Sequence, residues 1–229
     1  MPHPRASSHT RARQISTTAS PSSGSGCASG LLLPPLAVLL VGFLLFIFVN
    51  HNIAVPDSVH AASPQTLTTL SSIFTPEIQY WGGQILAWSA DFGLDPNLTA
   101  TVMQIESCGD PHARSSAGAL GLFQVMPYHF YALDDPFNPD TNAARGLTYL
   151  VHSLERAGGD VRQALAGYNG GVGLIGSAEW TWPAETKRYV YFGGQIYEDA
   201  QAGLDSSNRL TEWFNRYGVG LCAQARQRQ

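Results

Sequence analysis

Residues 103–127 read Met103-Gln-Ile-Glu-Ser-Cys-Gly-Asp-Pro-His-Ala-Arg-Ser-Ser-Ala-Gly-Ala-Leu-Gly-Leu-Phe-Gln-Val-Met-Pro127. The stretch sets one carboxylate, Glu106, where an apolar helix gives way to a loop rich in Gly and Ser. Upstream, Asp95 suits an N-cap and Pro96 the first helical position. Leu98, Val102 and Ile105 follow at helical spacing, so one face of this helix is expected to be buried. Glu106 comes directly after Ile105 and sits beside that face, near the last turn. A carboxylate so placed is partly desolvated, which raises its pKa and keeps a proton on it near neutral pH. That is the requirement for a general acid. An isolated Glu at a helix end is ordinarily a solvated surface residue, so what surrounds Glu106 decides between the two readings.

Outward from this stretch, the chain divides by composition. It has 229 residues, of which 13% are charged, about half the usual share. Residues 1–30 are rich in Ser, Thr, Gly, Ala and Pro, carry three Arg and no acid, and cannot bury enough apolar surface to fold. Residues 31–50 contain an apolar run from Leu31 to Val49 without a charge, long enough to cross a bilayer core. Arg5, Arg11 and Arg13 precede it, which predicts a cytoplasmic N-terminus and an extracytoplasmic remainder. A retained single-pass anchor is the favoured reading. Signal cleavage near Ala62, after Val59-His60-Ala61, is the alternative, and it would release a secreted protein. Residues 51–75 read as a linker, residues 76–222 as the folded domain and residues 223–229 as a tail.

Charge narrows the classes of function. The three basic residues before Asp57 give +3, whereas the 10 basic and 17 acidic residues from Asp57 onward give −7. An acidic domain lacks the basic stripe that nucleic acid requires, so no nucleic acid is expected. The seven His fall in no metal-ligand spacing, and neither a metal nor a cofactor is expected. Gly171-Val172-Gly173-Leu174-Ile175-Gly176 matches the dinucleotide fingerprint by letter, but it follows a helical segment with no strand before it. It reads instead as a loop that lets backbone approach another element. Asn97-Leu98-Thr99 is a glycosylation sequon by letter, placed unconvincingly at a helix start.

Elsewhere the periodicity is helical. Ile78, Trp81, Ile85, Trp88 and Phe92 form one amphipathic stripe ended by Gly93. The two Trp fit that buried stripe better than a sugar-stacking platform. A helix is expected over Thr141–Ala157, a short one capped by Asp160, and a last one through Tyr189 and Ile196. No alternating run is long enough for a substantial sheet. Cys108 and Cys222 both lie in the exported part, where a bridge is preferred to two buried thiols.

Together, four blocks carry a resemblance. Glu106-Ser107 with Gly109-Asp110-Pro111, Gly118-Ala119, Gly121-Leu122 and Gln124-Val125-Met126-Pro127 resembles the signature of bacterial lytic transglycosylases of the soluble-lytic-transglycosylase (SLT) type. Asn138-Pro139 with Asn142, Gly146, Tyr149 and Leu150, then Ala164 to Gly171, then Pro183 to Thr186 with Tyr189-Val190, resemble that family's later blocks in order. The match covers about residues 76–200, with Gly167 and Gly170 standing where the family often has Ala.

The resemblance implies a mainly α, lysozyme-like domain with a substrate cleft, and the apolar run of residues 31–50 is expected to precede it as one transmembrane helix. It implies cleavage of the glycan strands of peptidoglycan between N-acetylmuramic acid and N-acetylglucosamine, leaving a 1,6-anhydro end, with Glu106 the catalytic carboxylate acting first as acid and then as base. By the same resemblance Ser107 and Gln124 would hydrogen-bond the sugar and Met126 would line the cleft floor. Tyr168 and Asn169 would form the facing wall, and Tyr189 would hold the Glu106 carboxyl. Glu185 is expected to tie a loop and Asp110 to cap backbone. A goose-lysozyme-like hydrolase and a catalytically silent glycan-binding protein are the competing readings. A monomer is expected.

Overall fold

The computed structural model describes residues 69–229, and these are mainly helical. The disordered segment and the membrane anchor expected before residue 51 lie outside the described residues. Within the described residues, no helix is long and apolar enough to cross a membrane.

Eight α-helices appear in order among the described residues: α1 Pro76–Tyr80, α2 Gly82–Phe92, α3 Pro96–Glu106, α4 Pro139–Arg156, α5 Val161–Gly170, α6 Ala184–Gln201, α7 Asn208–Trp213 and α8 Val219–Arg226. A π-helical turn, Phe214–Gly218, joins the last two. The helix starts follow local chemistry. Asp95 caps α3 by accepting from the Asn97 amide, Asn138 caps α4 through the Thr141 amide, and Asp160 caps α5 through that of Gln163. The stripe expected as one helix from Ile78 to Phe92 is instead two, because the backbone breaks at Trp81. No β-strand occurs among the described residues. Isolated bridges, Arg114 to Leu120 and Leu120 to Val125, pin the loop after Glu106.

Helix α6 packs against α5 and α3, α5 against α4, and α2 against α3 and α4. Their shared core holds Phe123, Met103, Leu147, Leu150, Leu165 and Ile196, all fully buried. Trp81 and Trp88 stack with ring centroids 6.1 Å apart, and Trp88 meets Phe123 edge-on. Their indole N–H groups are satisfied internally, Trp81 donating to the Gly109 carbonyl at 2.9 Å and Trp88 to Asp140 at 2.8 Å. Both are core residues, not sugar platforms. Asn97 is buried and accepts from the Ser71 amide, so the sequon offers no exposed attachment point.

Two boundaries shift. Ile73 and Phe74, expected in the linker, are buried in the core. Residues 223–229, expected as a tail, are not detached. Ala225 is fully buried, Arg226 donates from Nε to the buried Glu77 carboxylate at 2.9 Å, and Arg228 meets the buried Asp110 at 2.9 Å. Sequence reasoning missed this because a polar C-terminus finds its partners only in three dimensions. Cys108 and Cys222 are bonded to each other across 114 residues, which ties α8 to the end of α3.

The loop after Glu106 depends on Asn142. Its side-chain nitrogen donates to the Leu120 carbonyl at 2.8 Å and the Pro136 carbonyl at 2.9 Å, and its oxygen accepts from the Phe123 amide at 2.8 Å. Asn142→Ala leaves the buried Phe123 amide and the part-buried Pro136 carbonyl unpaired, while the Leu120 carbonyl keeps the Val125 amide. The substitution is expected to cost ~3 kcal/mol and to lower Tm by ~6–12 °C. A melt shifted by less than ~2 °C would show that the loop holds itself without this residue.

Candidate active site

Glu106 ends α3, and its local position follows from the sequence. Ser107 takes non-helical dihedrals, and Cys108 turns left-handed with φ 52°, so the chain leaves the helix sharply. Glu106 keeps part of its surface toward solvent, while protein atoms surround the carboxyl on its other sides. Desolvation pushes its pKa up to about 8, the nearby Glu185 charge adds to the rise, and the Tyr189 hydroxyl opposes it.

A cleft runs past Glu106 in two lobes. One, of about 200 Å³, is lined by Glu106 and Ile105 from α3, by Asn169, and by Glu185, Arg188, Tyr189 and Phe192 from α6. Trp213 and Tyr217 close its far wall. The other lobe, of about 320 Å³, is lined by Met126, Tyr128, His129, Tyr149 and Tyr168, with Asn169 again. Asn169 therefore stands where the lobes meet. Its side-chain oxygen accepts from Thr186 Oγ1 at 2.9 Å, which leaves the amide nitrogen as a donor for a ligand.

The tyrosines are placed differently from one another. Tyr168 donates its hydroxyl proton to the Phe123 carbonyl at 2.8 Å, and burial with the Glu106 charge holds its pKa well above the usual phenol range. Gly146 makes this possible, since a Cβ there would lie 2.5 Å from Phe123 Cβ and 3.2 Å from the Tyr168 oxygen. Tyr189 is buried, and its hydroxyl has no hydrogen bond of good geometry. The Glu106 carboxyl is its polar neighbour, felt electrostatically across a loose contact.

Of the residues expected at the site, Glu106, Asn169 and Tyr189 line one lobe and Met126, Tyr168 and Asn169 the other. Ser107 does not reach the cleft, which corrects the expected sugar contact. It is fully buried, donates to the Leu122 carbonyl at 2.6 Å and accepts from the Gly109 amide at 3.1 Å. A small hydroxyl straight after the helix is consumed by the turn. Gln124 lines neither lobe. It holds φ at 45°, and its side chain donates to the Gly121 carbonyl at 3.0 Å. Such a left-handed non-glycine residue stores strain, a feature that gathers near functional sites.

Glu185 ties no loop, contrary to expectation. It is exposed on the cleft wall and makes no hydrogen bond or ion pair with another described residue. Asp110 does cap backbone, accepting from the His112 amide at 2.9 Å. Sequence reasoning missed Arg188 and Phe192, although Glu185, Arg188, Tyr189 and Phe192 fall at the spacing of one helical face. Trp213 and Tyr217 were missed as well, although Leu210, Trp213 and Tyr217 also fall at helical spacing, because they lie beyond the blocks that carried the resemblance.

A helical domain with one proton-retaining carboxyl on a cleft floor fits enzymes that protonate a leaving group. In comparison with known proteins, residues 83–189 match the family described as the transglycosylase SLT domain. Over 111 residues the chain is 40% identical to the transglycosylase of Enterobacteria phage PRD1, covering 48% of this chain and 40% of that one. Over 118 residues it is 30% identical to membrane-bound lytic murein transglycosylase C of Sodalis glossinidius, covering 41% of this chain and 32% of that one. Among solved structures it is similar to lytic transglycosylase Slt of Pseudomonas aeruginosa, with 22% identity and a TM-score of 0.45, covering 53% of this chain and 24% of that one. The chain thus spans less than half the length of these relatives.

Proposed function

We propose that this protein is a peptidoglycan lytic transglycosylase, held to the membrane by residues 31–50 with its catalytic domain outside the cytoplasm. The observation that carries the reading is Glu106, a half-buried carboxyl on the floor of a two-lobed cleft with its pKa pushed up to about 8. The SLT domain and the curated relatives support it, and the bridge between Cys108 and Cys222 fits an oxidising compartment.

In this reading the glycan lies along both lobes, with the scissile bond above Glu106. The protonated carboxyl donates to the oxygen between N-acetylmuramic acid and N-acetylglucosamine, and the bond to C1 breaks. The carboxylate that remains takes the proton from the C6 hydroxyl of the muramoyl sugar, and that oxygen closes on C1. The proton returns to Glu106, no water is consumed, and the product ends in a 1,6-anhydro ring. The sugar's acetamido group supports the positive charge at C1, which places the reaction among the substrate-assisted exceptions to the two-carboxylate rule. Tyr189 steadies the carboxylate stage by donating to it once the occupied cleft draws the two groups together. The amide nitrogen of Asn169 binds sugar where the lobes meet, and Met126 and Tyr168 bound the second lobe.

One observation favours a second reading. Glu185 stands unpaired on the same wall and could activate water, as a hydrolase of the goose-lysozyme type requires. Digestion of purified sacculi followed by mass spectrometry of the fragments separates the two. The expected products carry anhydro ends, and Glu185→Gln leaves their rate within a few-fold. Fragments heavier by one water, lost in Glu185→Gln, would establish hydrolysis. Because the acid must start protonated, kcat/KM is expected to fall tenfold per pH unit above about 8. A fall beginning near pH 5 would contradict a protonated Glu106.

A further inference from the structure

The lobe that Glu106 lines is closed by residues that the SLT match does not include. That match ends at residue 189, whereas Trp213 and Tyr217 come from the segment that follows α6. This segment is fixed in place. Cys222 binds it to Cys108, two residues past Glu106. The π-helical turn Phe214–Gly218 sets its geometry, and a Cβ at Gly218 would lie 2.7 Å from the Trp213 ring. Trp213 is buried, but Tyr217 remains 46% exposed at the lobe. Its ring meets Phe192 edge-on at 5.7 Å and lies 5.4 Å from the Arg188 guanidinium carbon.

Arg188 differs from most cations of this acidic domain. Arg145, Arg162, Arg209, Arg216, Arg226 and Arg228 each meet a carboxylate. Arg188 lines the cleft, forms no ion pair with a described carboxylate and makes no hydrogen bond to a described residue. Glu185, one turn earlier on α6 in the same lobe, does not pair with it. An aromatic ring thus braces the guanidinium while its N–H fork stays available, an arrangement suited to bidentate binding of a carboxylate.

We infer that Arg188, braced by Tyr217, is the specificity-determining residue of a subsite for a carboxylate carried by the glycan. The inference rests on the function proposed above and goes beyond it in naming the group read. Two sources offer that chemistry. Strands with peptide stems present stem carboxylates, and strands stripped of their stems present the free lactyl carboxylate of the muramoyl sugar.

The test uses the full chain carrying Glu106→Gln, so that ligands bind without being cut. Its affinity is measured by calorimetry for stem-bearing strands, for stripped strands and for neutral chitohexaose, with and without Arg188→Gln. At least one anionic strand is expected to bind about tenfold more weakly to the Arg188→Gln protein, with chitohexaose changed less than twofold. Loss confined to stem-bearing strands assigns the stem carboxylate, and loss confined to stripped strands assigns the lactyl group. Tyr217→Ala is expected to weaken the same strand. Equal affinities with and without Arg188→Gln, or an equal loss for all three ligands, overturn the inference and leave the proposed function standing. If the parent protein binds none of the three, the proposed function fails and the inference falls with it.

Discussion

Under the proposed function, replacing Glu106 by Gln is expected to abolish cleavage of peptidoglycan while making the domain more stable at neutral pH. The first effect follows from chemistry. The amide keeps the shape of the side chain but has no proton of suitable acidity to give, and it cannot take one from a hydroxyl. Losing general acid and general base in one residue removes both halves of the reaction, so kcat should fall by at least ~10³-fold.

The second effect follows from where the carboxyl sits. Its pKa rises from 4.5 to about 8 on folding, so the native chain holds a proton that the unfolded chain releases. Between these values the native state binds more protons, and stability therefore falls as pH rises. The contribution is neutral below pH 4.5, becomes increasingly unfavourable through the window, and levels off above about 8. Glu106→Gln removes it. Allowing for the open side of the cleft, the gain is ~2–3 kcal/mol at pH 8, or ~5–10 °C in Tm, shrinking to nothing near pH 4. Melts of both proteins across pH 4–9 check this. A gain that did not depend on pH would mean that the carboxyl is not destabilised by its surroundings.

Reducing the bridge between Cys108 and Cys222 is expected to have the largest structural effect. It closes a loop of 114 residues, and in the chain-entropy model a loop of that length contributes ~4–5 kcal/mol by restricting the unfolded chain. Reduction, or the double substitution Cys108→Ser with Cys222→Ser, should lower Tm by ~10–15 °C. The effect should also reach the site. Cys108 holds a left-handed turn two residues after Glu106, and Cys222 anchors the segment that carries Tyr217. Reduced protein held well below its melting temperature should therefore lose affinity for glycan before it unfolds. If the melt moves by less than ~3 °C, α8 is held by its other contacts, chiefly the pairing of Arg226 with Glu77 and of Arg228 with Asp110.

The sequence made the central helices legible because their starts carry explicit chemistry. Asp95 and Asp160 cap helices where they were expected to, and the apolar spacing after each shows its inward face, whereas the helix expected from Thr141 starts at Pro139 with Asn138 as its cap. What it did not show depends on partners distant along the chain. Ser107 looked available beside Glu106, yet the Leu122 carbonyl takes its hydroxyl. The final residues looked like a tail, because the buried carboxylates of Glu77 and Asp110 that receive them lie more than a hundred residues earlier. Tyr217 stands in a π-helical turn more than a hundred residues after Glu106, and nothing local to it marks it as a cleft residue. Glu106 was legible because its place at the end of an apolar helix is set by its own segment, although Asn169, Glu185 and Tyr189 complete its surroundings from far along the chain.

All of the proposed chemistry requires Glu106 to keep its proton near neutral pH. Carbon-13 NMR of protein with labelled glutamate side chains follows that carboxyl through a pH titration, its resonance assigned by its absence in Glu106→Gln. A midpoint near 8 is the expected result. A midpoint near 4.5, that of a solvated glutamate, would mean that the residue is already ionised at neutral pH and cannot begin the reaction as an acid.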